Sequence, residues 1–222
     1  MLMRKKITTV FFIGFIFVFL NACSEDAKLQ PLNANASILA FGDSLTYGTG
    51  TSRDNAYPAV LSAMIQRKVI NAGVPGEISE KGLSRLSALI ENHQPGLIII
   101  CHGANDILRK LNIHQTKINL QKMIDLARQN NSQVVLVAVP EFSLFLNPSP
   151  IYQELAEENH LPIANDILVD ILSKNALKSD HIHPNAEGYQ LLASNISLLL
   201  TTSGALDTVK PNSQAPRQSS NL

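Results

Sequence analysis

Four short apolar runs constrain this chain more than anything else in it: SILAF (37–41), KVINAG (68–73), LIIICHG (97–103) and VVLVAVP (134–140). They are short, β-branched and uninterrupted, without the polar alternation of a half-exposed strand. Runs of that kind suit strands buried on both faces, as in a parallel sheet covered by helices. Between them lie helical patterns: YPAVLSAMIQR (57–67), GLSRLSALIENHQ (82–94) and TKINLQKMIDLARQNN (116–131), the last with its apolar residues near a 3.6-residue period. IYQELAEENH (151–160) and NAEGYQLLASNISLLL (185–200) complete the helical set, and LPIAND (161–166) is a weaker strand candidate. Pro184 is expected in the first turn of the last helix, where its missing N–H costs nothing. The alternation predicts an α/β fold with right-handed crossovers and helices on both faces of a mainly parallel sheet of about five strands.

In open parallel sheets, ligands bind beyond the carboxyl ends of the strands. Each run should therefore deliver its last residues to one shared edge. Those residues are Gly42-Asp43-Ser44, Asn71-Ala72-Gly73 and Gly103-Ala104-Asn105-Asp106, and DHIHPN, with Asp180 and His183, stands just before the last helix. A serine hydroxyl is a weak nucleophile until a base takes its proton, and histidine is the side chain suited to that near neutral pH. A carboxylate on the other ring nitrogen fixes the tautomer and stabilises the imidazolium. Asp180 and His183 are three residues apart, close enough for a local pair. The N–H groups of Ser44 and Gly73 and the Asn105 amide are the available donors for a developing oxyanion. Gly42 permits a sharp exit from the first strand, and Gly48 and Gly50 leave room for backbone and substrate. Asp43 is expected to bind loop amides. His181 and His183 have a spacing seen in metal sites, but no further histidine or carboxylate cluster joins them. His102 and Cys101 end the third strand; Cys101 reads as a small buried hydrophobe.

The chain of 222 residues suits one domain. Its first residues are not part of it. MLMRKK is a basic leader and VFFIGFIFVFL (10–20) an apolar run of 11 residues. That is too short for a spanning helix, which needs about 20, and right for a signal-peptide core. The LNAC that follows (20–23) resembles a bacterial lipoprotein processing site, which implies acylation of Cys23 and a lipid anchor in the membrane. Ser24, rather than Asp, after the cysteine implies the periplasmic face of the outer membrane. The expected organisation is a signal peptide over 1–22, a polar tether over 23–35, a domain over 36–200 and a disordered tail over 201–222. Losing Arg4, Lys5 and Lys6 from 18 basic residues leaves 15 against 18 acidic ones, a charge of −3. With no basic excess to neutralise phosphates, nucleic acid is excluded as a main partner. No obligate protein partner is evident.

GDSLTYGTG, NAGVPGE, GAND and DHIHPNAEGY resemble, in order, the successive blocks of the SGNH (GDSL) hydrolase family. DSLTYGTGTSRDNAYPAVL and IHPNAEGYQLLA are similar to its arylesterase and thioesterase I/lysophospholipase branch. The resemblance implies a flavodoxin-like α/β/α sandwich without metal or organic cofactor. It makes Ser44 the nucleophile, Asp180 and His183 its triad partners, and Gly73 and Asn105 oxyanion donors. The expected activity is hydrolysis of small to medium acyl esters, aryl esters included, with acyl thioesters and lysophospholipids next. A carbohydrate O-deacetylase of the cell envelope and a non-catalytic binding lipoprotein on the same fold are the alternatives. Pro75, the Cys101-His102 pair and PEFSLFLNPSP (140–150) depart from the branch pattern and bear on acyl specificity.

Overall fold

The computed structural model describes residues 27–142 and 146–207. The stretch read as a signal peptide, Cys23 and the chain beyond Asp207 lie outside them. In chain order the elements are β1 (Ile38–Gly42), α1 (Ser44–Tyr47), α2 (Tyr57–Ile65), β2 (Val69–Gly73), α3 (Ser79–His93), β3 (Leu97–Cys101), α4 (Ala104–Leu108) and α5 (Ile113–Gln129). Then come β4 (Gln133–Val137), β5 (Pro140–Glu141), β6 (Asn147–Pro148), α6 (Pro150–Asn159), β7 (Ile163–Ala164), α7 (Ile167–Leu172) and α8 (Ala186–Thr202).

Five strands form one parallel sheet in the order β2-β1-β3-β4-β7. From β1 the chain steps outward to β2, then returns across β1 to β3. That reversal opens a crevice at the carboxyl ends of β1 and β3, the place where this strand order binds ligands. Helices α2, α7 and α8 pack together, and α3, α5 and α6 form the second group. Right-handed crossovers put the two groups on opposite faces of the sheet.

β1 and β3 are fully buried along their length, as their unbroken apolar runs require. β2 is only half-buried throughout. It is an edge strand, with β1 alone beside it, so double-sided burial was the wrong expectation for KVINAG. Pro184 lies before the cap of α8, not within its first turn; Asn185 is the cap and accepts from Gly188 N–H.

The largest buried side chains include Tyr57, Tyr152 and Tyr189. A buried phenol needs a polar partner. Tyr57 Oη lies 3.2 Å from Thr46 Oγ1, Tyr152 donates to His102 O at 2.7 Å, and Tyr189 donates to Thr49 O at 2.8 Å. The core therefore braces the segments that leave β1 and β3.

The stretch read as a polar tether is docked from its first described residues. Leu29 and Leu32 are buried in the core cluster. Leu29 N–H donates to Ser203 O and Leu32 N–H to Ala205 O, at 2.7 and 2.9 Å. Gln30 and Gln133 exchange two hydrogen bonds, and Arg67 donates to the carbonyls of Leu32, Asn33 and Ala34. Gln133 starts β4, Arg67 precedes β2, and Leu32 lies against Gly96 before β3. This strap thus crosses the amino ends of the strands. The domain extends past the expected limits of 36 and 200, because the strap and residues 203–206 cover apolar surface that would otherwise face water.

Candidate active site

Ser44 is the first residue of α1, and Asp43 caps that helix. Asp43 is fully buried; its Oδ1 accepts Leu45 N–H at 3.1 Å and its Oδ2 accepts Ala104 N–H at 3.2 Å. One carboxylate thus ties the turn after β1 to the turn after β3. Burial pushes the Asp43 carboxyl up from its ordinary range, against the pull of His102 and of the two amides. Its bonds are to backbone, as expected from turn chemistry.

The loop after β7 and α7 brings the histidine across. His183 Nε2 lies 3.0 Å from Ser44 Oγ, and His183 Nδ1 lies 2.8 Å from Asp180 Oδ2. With the Nδ1 proton directed at Asp180, Nε2 is left to accept from the serine hydroxyl. Asp180 Oδ1 accepts the N–H groups of Ile182 and His183 at 2.8 and 2.9 Å. Gly50 makes this approach possible. It has φ +96°, and a Cβ there would lie 2.1 Å from Ser179 Oγ and 2.7 Å from Pro184 O. The absent side chain makes room for the histidine loop rather than for substrate.

Partial burial opposes ionisation of Asp180, but the imidazole and the two amides outweigh it, and the carboxyl titrates below its ordinary 3.8. A group whose acidity is raised by folding stabilises the fold above its unfolded value and loses that contribution as pH falls through the folded one. Melting temperatures followed downward from pH 6 should drop less steeply below about pH 4 for Asp180→Asn than for the unaltered protein. Superimposable acid profiles would contradict the assignment. Asp180 has a half-exposed side chain, against 12% for His183, so the difference should be modest.

Gly73 does not fit the role expected of it. Its N–H donates to Asn71 Oδ1 at 3.0 Å, and the Asn71 amide in turn donates to Tyr47 O. The N–H of Gly76, in the turn that follows, is unengaged among the described residues. Val74–Glu77 is a turn closed by Glu77 N–H to Val74 O, with Pro75 second and Gly76 third at φ +75°. Proline followed by a positive-φ glycine is the pattern of a type II turn. Nothing among the described residues accepts the Gly76 N–H. Asn105, in the first turn of α4, donates from Nδ2 to Glu77 O at 3.1 Å, which sets its amide against the same turn. The other Nδ2 hydrogen has no acceptor among the described residues. Ser44 N–H, at the start of a helix, has no intrahelical acceptor.

Cys101 is fully buried, and burial pushes its thiol well up. His102 is fully buried too, with Nε2 3.0 Å from Glu77 Oε2. Asp106 is tied up by Ser79 and Thr116. His181 is exposed. Among the described residues no group of three or more His, Cys, Asp or Glu side chains could hold a metal ion.

The sequence profile of the GDSL-like Lipase/Acylhydrolase family matches residues 40–191. The chain is 32% identical over 165 residues to the Thioesterase 1/protease 1/lysophospholipase L1 of Escherichia coli, spanning 71% of this chain and 79% of that protein. It is 29% identical over 175 residues to the Arylesterase of Vibrio mimicus, spanning 74% and 88%. Among solved structures, the crystal structure of TesA superimposes with a TM-score of 0.69 at 26% identity, covering 75% of this chain and 99% of that one.

Proposed function

The chain belongs to the GDSL-like lipase/acylhydrolase family, whose members make it an ester hydrolase, and on that premise we propose that it cleaves acyl esters through a covalent intermediate on Ser44. The observation that carries this reading is the unbroken contact from Ser44 Oγ through His183 to Asp180, at 3.0 and 2.8 Å. Ser44 Oγ attacks the ester carbonyl carbon while His183 Nε2 takes its proton. The carbonyl electron pair moves onto oxygen, where Ser44 N–H, Gly76 N–H and Asn105 Nδ2 stabilise it. Collapse expels the alcohol or thiol, which takes the proton back from His183. Water then repeats the sequence on the acyl-enzyme and frees Ser44.

The substrate class in this reading is small to medium acyl esters, aryl esters among them, with acyl thioesters and lysophospholipids next. The relatives named arylesterase and thioesterase/lysophospholipase support it. So do Val74, Leu108, Leu111 and Ile113, large apolar side chains left exposed beside the Gly76 turn and α4. They offer surface that an acyl chain would cover.

A p-nitrophenyl ester series from acetate to palmitate tests the reading. Hydrolysis is expected, and Asn105→Ala is expected to lower kcat by about 10²- to 10³-fold with KM little changed. No turnover across the series, together with no fluorophosphonate label on Ser44, would remove it.

A further inference from the structure

We propose that Arg85, with Glu77 and His102, is the positioning unit that holds the three oxyanion donors in one frame; this rests on the reading of Ser44 given above. None of the three side chains touches the serine–histidine pair. What they touch is the set of backbone segments carrying the donors.

Arg85 projects from α3. Its Nη2 donates to Gly42 O at 3.1 Å and to Ala72 O at 2.9 Å. Gly42 lies two residues before Ser44, and Ala72 four before Gly76. The same guanidinium holds the Glu77 carboxylate, through Nε at 2.8 and 2.9 Å and through Nη2 at 2.6 Å. It lies 4.4 Å above the Phe41 ring of β1, which fixes its plane. One rigid fork therefore gathers the ends of β1 and β2 and the residue that closes the Gly76 turn. A planar, multidentate cation can do this; a single ammonium cannot reach so many acceptors.

Glu77 carries the link to the third donor. Its carbonyl accepts from Asn105 Nδ2, and its carboxylate, 8% exposed, faces His102 Nε2 at 3.0 Å. His102 is three residues before Asn105, and its own carbonyl takes the Tyr152 hydroxyl. The imidazole sits against the Phe41 ring and over Gly82, where a Cβ would come within 2.3 Å of Nε2. Burial opposes ionisation of Glu77, but His102 and Arg85 outweigh it and hold the carboxyl below its usual range. The carboxylate is thus a fixed anion between two donors. Hydrogen bonds to a buried charge of this kind are short and directional. Ser44 N–H, Gly76 N–H and Asn105 Nδ2 stand on three separate segments, and this ion-paired unit is what joins all three.

Preorganised donors act on the developing charge and not on the bound ester. Arg85→Lys and Glu77→Gln should therefore lower kcat by about 10- to 100-fold with KM within about 2-fold. Both should weaken inhibition by a trifluoromethyl ketone, whose serine adduct carries the same oxyanion, by the same factor. Arg85→Lys keeps the charge, and melting temperatures report the folded fraction of each variant. Unchanged kcat for the folded protein, whatever the melting temperature, overturns the proposal. So does a rise in KM with kcat constant. Failure of the underlying serine reading looks different: the unaltered protein would itself resist the ketone and show no turnover.

Discussion

Ser44→Ala is expected to lower kcat/KM for p-nitrophenyl esters by about 10⁴-fold or more, with the fold intact. The hydroxyl has one hydrogen-bond partner among the described residues, His183 Nε2, so its removal should change stability by no more than about 1 kcal/mol. His183→Ala should be comparably inactive, and the double variant no worse than either single one. That non-additivity follows from residues acting as a unit: with the base gone, the hydroxyl is no nucleophile, and with the hydroxyl gone the base has nothing to deprotonate. Steady-state rates of the three purified variants and their melting curves check this together. A serine variant retaining a tenth of the activity would put the nucleophile elsewhere.

Gly73→Ala should be a severely damaging single-methyl change near the site, and for a steric reason. The added Cβ would lie 2.1 Å from Tyr47 N, 2.6 Å from Thr46 C and 2.6 Å from Tyr47 Cα, all of them backbone of α1. Backbone cannot swing aside as a flexible side chain can, so α1 and β2 must separate. Overpacking of this kind typically costs about 1–3 kcal/mol, occasionally more. Because α1 starts at Ser44, the same movement carries the hydroxyl away from His183, and a displacement of about 1 Å can cost about 10²-fold in rate. Gly76→Ala is the control. A Cβ there meets only Arg109 Nη2, at 3.7 Å, and its burden is the positive φ, worth about 1–2 kcal/mol. Urea melts of the two variants should differ in that order. A Gly73→Ala protein as stable as the parent would mean α1 does not pack on β2 as described.

The layered fold was legible because buried parallel strands are written as unbroken apolar runs, and the long helices as periodic ones. β7 was faint because only Ile163 and Ala164 pair there. α1 and α4, of 4 and 5 residues, are too short to show a period. The strap was illegible for a related reason. Leu29 and Leu32 are isolated in a polar stretch, and nothing local says that residues 203–206 will meet them.

At the site, residue types and their order at the strand ends pointed to Ser44, Asn105, Asp180 and His183, which the structure brings to one edge. Gly73 and Gly76 could not be told apart in this way. Which glycine has a free N–H depends on a positive φ and on Asn71 capturing the other, and neither shows in a list of residues. Arg85 was missed because an arginine on an amphipathic helix reads as solvated. Its position beside buried Gly82 and Leu86 was the available hint.

The strap gives the molecule a front and a back. β1 is five residues long, roughly 16 Å from one rim of the sheet to the other. Residues 29–34 are fastened at the far rim from Ser44, so whatever is joined to the protein immediately ahead of them starts from the side away from the hydroxyl. The opposite rim, with Ser44 and His183, is left uncovered by that segment.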